Sequence, residues 1–138
     1  MNFNFRILTK ILMILYLLLL AYWMMFGFGR TSQDEFMYNL RPLSTIRHFL
    51  QAQNINSKAS IINLVGNIGV FTPFGIALPI IFRFKFLKLY GLFLCGLFAL
   101  ELTQLLSRRG SFDVDDLILN SVGFFIGYWI YGILLKRE

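Results

Sequence analysis

The stretch that decides the fold is RGSFDVDDLILNSVGFFIGYWIYGILL, residues 109–135. Its first eight residues contain an arginine and three of the seven acids of the chain, Asp113, Asp115 and Asp116. The rest is mostly apolar for about the length of a membrane crossing, with Asn120 inside it. Charged and amide groups are costly at such depth, so their presence here marks a candidate functional site.

The same apolar character extends over the whole chain. Of 138 residues, 57% are hydrophobic and the mean hydropathy is +0.67, which is more apolar surface than one soluble core of this size can hide. Four continuous runs are long enough to cross a membrane, and backbone groups in lipid must be satisfied inside helices. We therefore predict an all-α fold, a polytopic transmembrane bundle of four helices. It forms a single domain over residues 1–138, with helices near residues 8–28, 61–82, 86–106 and 114–135.

Basic residues flank the ends of the predicted helices, so the net charge of +6 indicates membrane orientation rather than nucleic-acid binding. These residues form three clusters: one near the start of the first helix, one in the second connection and one at the end of the chain. Their members are Arg6, Lys10, Arg83, Lys85, Lys88, Lys136 and Arg137. The positive-inside rule places these clusters and both termini on the cytoplasmic face. A signal peptide is the alternative for the first run, but the run is long and lacks a small-residue cleavage site.

The connection over residues 29–60 is the one long polar segment, and it would lie outside the cell. Pro42 breaks the chain direction within it. Ser44 or Thr45 could then cap a short helix lying in the membrane interface. An unstructured loop is the alternative for this segment.

Prolines and glycines in two of the predicted helices affect helix geometry and packing. Pro73 and Pro79 should interrupt the second helix and kink it at Pro73. Gly75 leaves room there for a close neighbour, and Gly123 with Gly127 forms a GxxxG pattern in the fourth helix. We predict that Pro73 and these three glycines are structural residues.

Polar residues continue along one face of the fourth helix. Asp113, Asp116, Asn120, Gly123 and Gly127 recur at alternating spacings of three and four residues, which places them on one helix face. One end of this helix face is therefore polar, and the face continues into small residues that suit close packing against another helix. Asp115 falls off this face, and we expect it to be the dispensable acid.

Two other helices carry polar residues at a similar depth. Glu101 and Gln104 are i, i+3 partners on the third helix, and Asn63 and Asn67 are i, i+4 partners on the second. With the predicted topology, all of them lie toward the outer ends of their helices. The residues therefore predict a polar pocket open to the outer leaflet. A structural network that fixes helix register, including a pair between Arg109 and an aspartate, is the alternative.

These motifs resemble the VanZ-like family. The carriers of the resemblance are NLRP with the following TI (residues 39–46), Asn67 followed by the PFG element (73–75), ELTQ (101–104), RGSFDVDD (109–116), Asn120 and Gly123. Leu43 departs from the pattern, because an aromatic residue is expected after Pro42. The resemblance spans roughly residues 39–127 and implies a bacterial inner-membrane protein. Its namesake is associated with resistance to the antibiotic teicoplanin without a change in the peptidoglycan precursor.

Three functions remain open from the sequence. In the first, the pocket binds or modulates a membrane lipid, a lipid-linked wall precursor or a lipoglycopeptide antibiotic, with these binding residues: Asn67, Gln104, Arg109 and Asn120. In the second, the chain is an intramembrane enzyme acting on a polyprenyl-linked or phospholipid substrate. Glu101, Asp113 and Asp116 would then bind Mg²⁺ or exchange protons. In the third, Glu101 is the proton or cation site of a small transporter.

Overall fold

The computed structural model describes residues 3–51 and 57–135, apart from the side chains of residues 28 and 59. Its helices are α1 (Phe3–Phe26), α2 (Ser44–Leu50), α3 (Lys58–Ile61), α4 (Asn67–Ile81), α5 (Phe86–Leu106) and α6 (Val114–Leu134). A π-helical segment, Ile62–Gly66, joins α3 to α4, and a short 3₁₀ turn, Gly27–Gly29, follows α1. Within the described ranges, four helical stretches are long and apolar enough to cross a membrane. The predicted all-α class with four membrane-length helices is confirmed.

The chain divides into two compact units. The first comprises Met1–Asn39 and Ala77–Asp113, and the second comprises Leu40–Ile76 and Val114–Glu138. The boundaries fall after Asn39, inside α4, and directly before α6. The prediction of one domain over the whole chain stays a prediction.

In the first unit, α1 and α5 run in the same direction. The Nε of Arg6 donates to the carbonyl of Ile81 at 2.8 Å, close to where α5 begins. At the other end, Nε2 of Gln104 donates to the carbonyl of Met24 at 2.8 Å. One contact joins the start of α1 to the start of α5, and the other joins the end of α1 to the end of α5. Two membrane helices that run in the same direction need an odd number of crossings between them in the chain, as the four-helix topology requires.

Two short strands complete the first unit. Strand β1 (Met37–Asn39) pairs in parallel with β2 (Ser111–Asp113), with Met37 opposite Ser111. Just before them, the backbone N–H of Gln33 donates to the carbonyl of Arg108 at 2.8 Å. The polar segment after α1 is therefore held against the turn between α5 and α6. This pairing is absent from the predictions above.

The end of α5 has the hydrogen bonds of a Schellman motif. The N–H of Arg109 donates to the Gln104 carbonyl at 3.2 Å, and the N–H of Arg108 donates to the Leu105 carbonyl at 3.0 Å. Arg108 has φ of +55° at the position that glycine usually takes. Its guanidinium donates to the Asp34 carbonyl at 3.1 Å and lies 4.6 Å from the Phe36 ring. These contacts hold a conformation that arginine rarely adopts.

In the second unit, α4 and α6 touch through their backbones. A Cβ placed on Gly123 would overlap the carbonyl of Ile68, and one placed on Gly127 would overlap the carbonyl of Thr72. The contacts advance together along both helices, so the two helices run in parallel. Such close approach is typical of membrane helices that pack through small residues.

Pro73 and Pro79 lie inside α4, which runs without interruption from Asn67 to Ile81. The prediction that they interrupt this helix is therefore wrong. A proline ring presses on the carbonyl four residues earlier, and here that residue is glycine in both cases, Gly69 and Gly75. Glycine backbone adjusts more readily than that of other residues.

Candidate functional site

Asp113 ends β2 and contacts the amide of Asn39, its register partner on β1. The Nδ2 of Asn39 lies 3.3 Å and 3.4 Å from the two carboxylate oxygens. Asp113 is 8% exposed, so this amide donates to a largely buried carboxylate. The contact adds a side-chain tie to the strand pairing of the first unit. Asn39 is a partner that spacing along the sequence does not reveal.

Asp115, in the first turn of α6, is completely buried. Its carboxylate accepts three backbone N–H groups: those of Leu43 at 2.5 Å, Thr45 at 2.8 Å and Ile46 at 3.0 Å. It therefore satisfies the N-terminus of α2, whose first N–H groups have no acceptor within the helix. Bonds to a charged acceptor are stronger than neutral ones.

This geometry corrects two expectations. Neither Ser44 nor Thr45 caps α2, because the residue at the cap position is Leu43, with φ of 64° and no side-chain cap bond. The hydroxyl of Ser44 donates back to the Arg41 carbonyl instead, at 2.7 Å. The expectation that Asp115 is dispensable is also wrong on structural grounds. It lies off the face shared by the other acids because its partner is the segment that begins α2.

Asp116 is bonded to Asn67 in the second unit. The Nδ2 of Asn67 donates to Oδ1 of Asp116 at 2.7 Å, and both side chains are half-buried. Asn67 is the first residue of α4 and directly follows the π-helical segment. Such segments occur frequently at functional sites. The structure thus joins two residues that the sequence selected independently on different helices.

Asn120 lies one turn further along the same face of α6 and is 1% exposed. Among the residues that the structure describes, neither its Nδ2 nor its Oδ1 has a hydrogen-bond partner. The Oδ1 of Asn63, in the π-helical segment, is also buried without a partner there. Most buried polar groups are satisfied, so each exception calls for an explanation.

Glu101 and Gln104 are both buried on α5, at 3% and 4% exposure. The amide of Gln104 donates to the carbonyl of Met24, which also accepts a bond from Arg30 at 2.9 Å. Gln104 therefore ties the end of α1 to the end of α5. Glu101 is a carboxyl side chain buried one turn earlier in a membrane-length helix, a costly placement that marks functional residues in membrane proteins.

The guanidinium of Arg109 lies over the ring of Phe26, 4.7 Å from its centroid. In residues 3–51 and 57–135, it forms no ion pair with a carboxylate. The alternative of an ion pair between Arg109 and an aspartate thus has no support in that part of the chain. An arginine on an aromatic face keeps its N–H groups available for a phosphate or carboxylate.

The candidate residues are divided between the two units. Asn67, Asp116 and Asn120 belong to the second unit, whereas Glu101, Gln104, Arg109 and Asp113 belong to the first. No cluster of three or more His, Cys, Asp or Glu side chains that could hold a metal ion occurs among the described residues.

Fold and site together define a small polytopic membrane protein with buried polar side chains in its crossing helices. The family model described as VanZ/LLP1 matches residues 13–135, and the chain belongs to this family. It is 29% identical over 133 residues to Protein VanZ of Enterococcus faecium, covering 96% of this chain and 78% of that protein. No solved structure matches the chain significantly. The resemblance read from the motifs is confirmed.

Proposed function

We propose that this VanZ-family membrane protein binds the polar head of an amphiphile at the outer face of the bacterial inner membrane. The ligand class comprises membrane lipids, lipid-linked wall precursors and lipoglycopeptide antibiotics such as teicoplanin. The observation that carries the proposal is the buried amide of Asn120, which has no hydrogen-bond partner among the described residues. An amide left in this state costs about 1–3 kcal/mol. A bound head group would recover that cost.

The chemistry around Asn120 favours hydroxyl and amide groups of a ligand. Asn120 offers two donors and one acceptor, and Asn63 offers an acceptor through its Oδ1. Asp116 lies one turn away on the face of Asn120, where its carboxylate disfavours a bare anion. Sugar hydroxyls and peptide amides fit these donors and acceptors better than a phosphate does. Both groups occur in wall precursors and in glycopeptides.

Arg109, in the first unit, is a second candidate contact for an amphiphile, argued independently of Asn120. Its guanidinium rests on Phe26 and has no carboxylate partner within the described ranges. It suits a phosphate or carboxylate, which amphiphiles of the envelope commonly carry. Gln104 and Asn67 contribute less than the sequence suggests, because their amide nitrogens already donate to Met24 and Asp116.

The orientation is part of the proposal. Arg6 lies in the first turn of α1 and contacts the Ile81 carbonyl, so the basic start of α1 and the basic residues between α4 and α5 lie at one end of the first unit. The positive-inside rule assigns this end to the cytoplasm. Single cysteines at residues 30–51, introduced after Cys95→Ser, should react with an impermeant thiol reagent added outside intact cells. Reaction from the cytoplasm alone would reverse the orientation.

The binding test uses Asn120→Leu with Ser121→Ala as its neighbour control, because the Ser121 hydroxyl donates to the Leu117 carbonyl of its own helix. We expect Asn120→Leu to leave thermal stability unchanged or raised, since it removes an unsatisfied amide. Binding of teicoplanin or of a lipid-linked precursor to purified protein should weaken about tenfold or more. Teicoplanin resistance, compared at matched membrane levels, should fall in parallel.

A different result would sink the proposal. If Asn120→Leu lowers stability while each folded molecule binds as before, the amide serves structure alone.

The buried carboxyl of Glu101 favours an intramembrane enzyme as the second candidate. A lipid-linked precursor pool that changes on expression and returns to normal with Glu101→Gln, at matched levels, would favour the enzyme over binding.

A further inference from the structure

The connection between α4 and α5 contains an open groove at the end of the first unit that also contains Arg6. Its volume is about 590 Å³, and the residues lining it are Arg83, Phe84, Lys85, Phe86, Leu87 and Lys88. Basic and apolar side chains alternate through this segment. None of the lining residues belongs to the proposed amphiphile site.

The groove contains three cations. Among the residues described, Arg83, Lys85 and Lys88 have no carboxylate partner, and Lys88 lies 4.1 Å from the centre of the Phe84 ring. The sequence has no acid between Glu35 and Glu101. The groove therefore carries concentrated positive charge.

The start of α5 adds to this charge. The helix has 21 residues, its N-cap residue Lys85 makes no side-chain cap bond, and its first turn contains no acid. The helix dipole places partial positive charge at this point. The three cations and this partial charge together favour a phosphate.

Apolar side chains at the groove indicate what carries the phosphate. Leu87 is 79% exposed and Phe84 is 42% exposed, both beside the basic residues. A soluble anion needs no apolar neighbour, whereas the glycerol and acyl chains of a lipid do. We propose that this groove binds the phosphate head group of an anionic membrane phospholipid. This site is independent of the proposed amphiphile function.

Anchoring of basic residues at the membrane surface needs no groove and no defined ligand. A matched pair of substitutions separates this role from a lipid site. Leu87→Glu places an acid in the first turn of α5, where it suits the helix dipole and competes with a bound phosphate. Leu87→Gln has nearly the same shape without the charge. A third variant, Arg47→Gln with Lys58→Gln, removes two exposed cations outside the groove.

The full chain, purified in detergent and delipidated, is titrated by native mass spectrometry with phosphatidylglycerol, phosphatidylcholine and inorganic phosphate. We expect the native chain, Leu87→Gln and the double Gln variant to prefer phosphatidylglycerol. Leu87→Glu should weaken that binding about fivefold or more, as expected for one opposing charge near the head group. Equal binding of both lipids, equal losses in all variants, or displacement of the lipid by millimolar inorganic phosphate would overturn the proposal.

Discussion

Asn67 and Asp116 are joined by a 2.7 Å hydrogen bond from Nδ2 to Oδ1, linking the first residue of α4 to the first turn of α6. The bond lies at the end of a helix pair whose backbones touch further along, at Gly123 and Gly127. A directional bond and a close backbone contact thus fix the same pair of helices. The bond sets the axial position of α4 relative to α6, and the glycines set the distance between the two helices.

Removing one partner of this bond should cost more than removing both. Asn67→Leu leaves the carboxylate of Asp116 without the amide donor, so we expect a loss of about 1.5–3 kcal/mol in stability. Asp116→Asn keeps an acceptor and should cost less. The double variant Asn67→Leu/Asp116→Leu should recover part of the loss, measured by thermal denaturation in detergent. Strictly additive losses would show that the two side chains are not coupled.

Asp115 should be the least replaceable acid of the 109–116 block. Asp115→Ala removes the acceptor of three backbone N–H groups at the start of α2, and we expect a loss of about 3 kcal/mol or more. Hydrogen exchange at Ser44–Leu50 should accelerate. Glu35→Gln, at an exposed acid, is the control. Unchanged exchange in α2 would contradict the assigned role of Asp115.

The glycines of α6 should differ sharply in their tolerance of alanine. Gly127→Ala would force a methyl group into the Thr72 carbonyl and should cost about 1–3 kcal/mol. Gly132, on the same helix, has nothing within 4 Å of an added Cβ. Gly132→Ala should be neutral or stabilise by about 0.5–1 kcal/mol. Equal melting temperatures for the two variants would argue against the parallel α4–α6 contact.

The parallel arrangement of α1 and α5 can be tested by cross-linking. The Oγ of Ser107 lies 3.7 Å from the Sδ of Met25. In a Cys95→Ser background, cysteines at 25 and 107 should join through a short bifunctional thiol reagent. Cysteines at 25 and 88 should not, because residues 88 and 107 are about 28 Å apart along α5. Efficient linking of the second pair would mean that the helices run in opposite directions.

The four crossings were predictable because apolar runs of membrane length leave few alternatives to a helix. The pairing of Asn67 with Asp116 was not predicted as such, but the sequence placed both among polar residues near one end of their helices. The short strands were not predictable, because three-residue segments carry no periodic signal. The role of Asp115 was hidden for a related reason. Its partners are backbone N–H groups about 70 residues away, and any sequence provides such groups.

The capping of α2 by Asp115 has a consequence for synthesis of the chain. Thr45 precedes Asp115 by 70 residues, so at about 5–20 residues per second the ribosome needs about 4–14 s to supply the acceptor. Until then the first N–H groups of α2 can bond only to water or head groups. Helix α2 therefore reaches its final state only after the last crossing has begun to insert. In a nascent chain stopped before Asp115, α2 would lack its acceptor and would be exposed in this state to the insertion machinery and to membrane proteases.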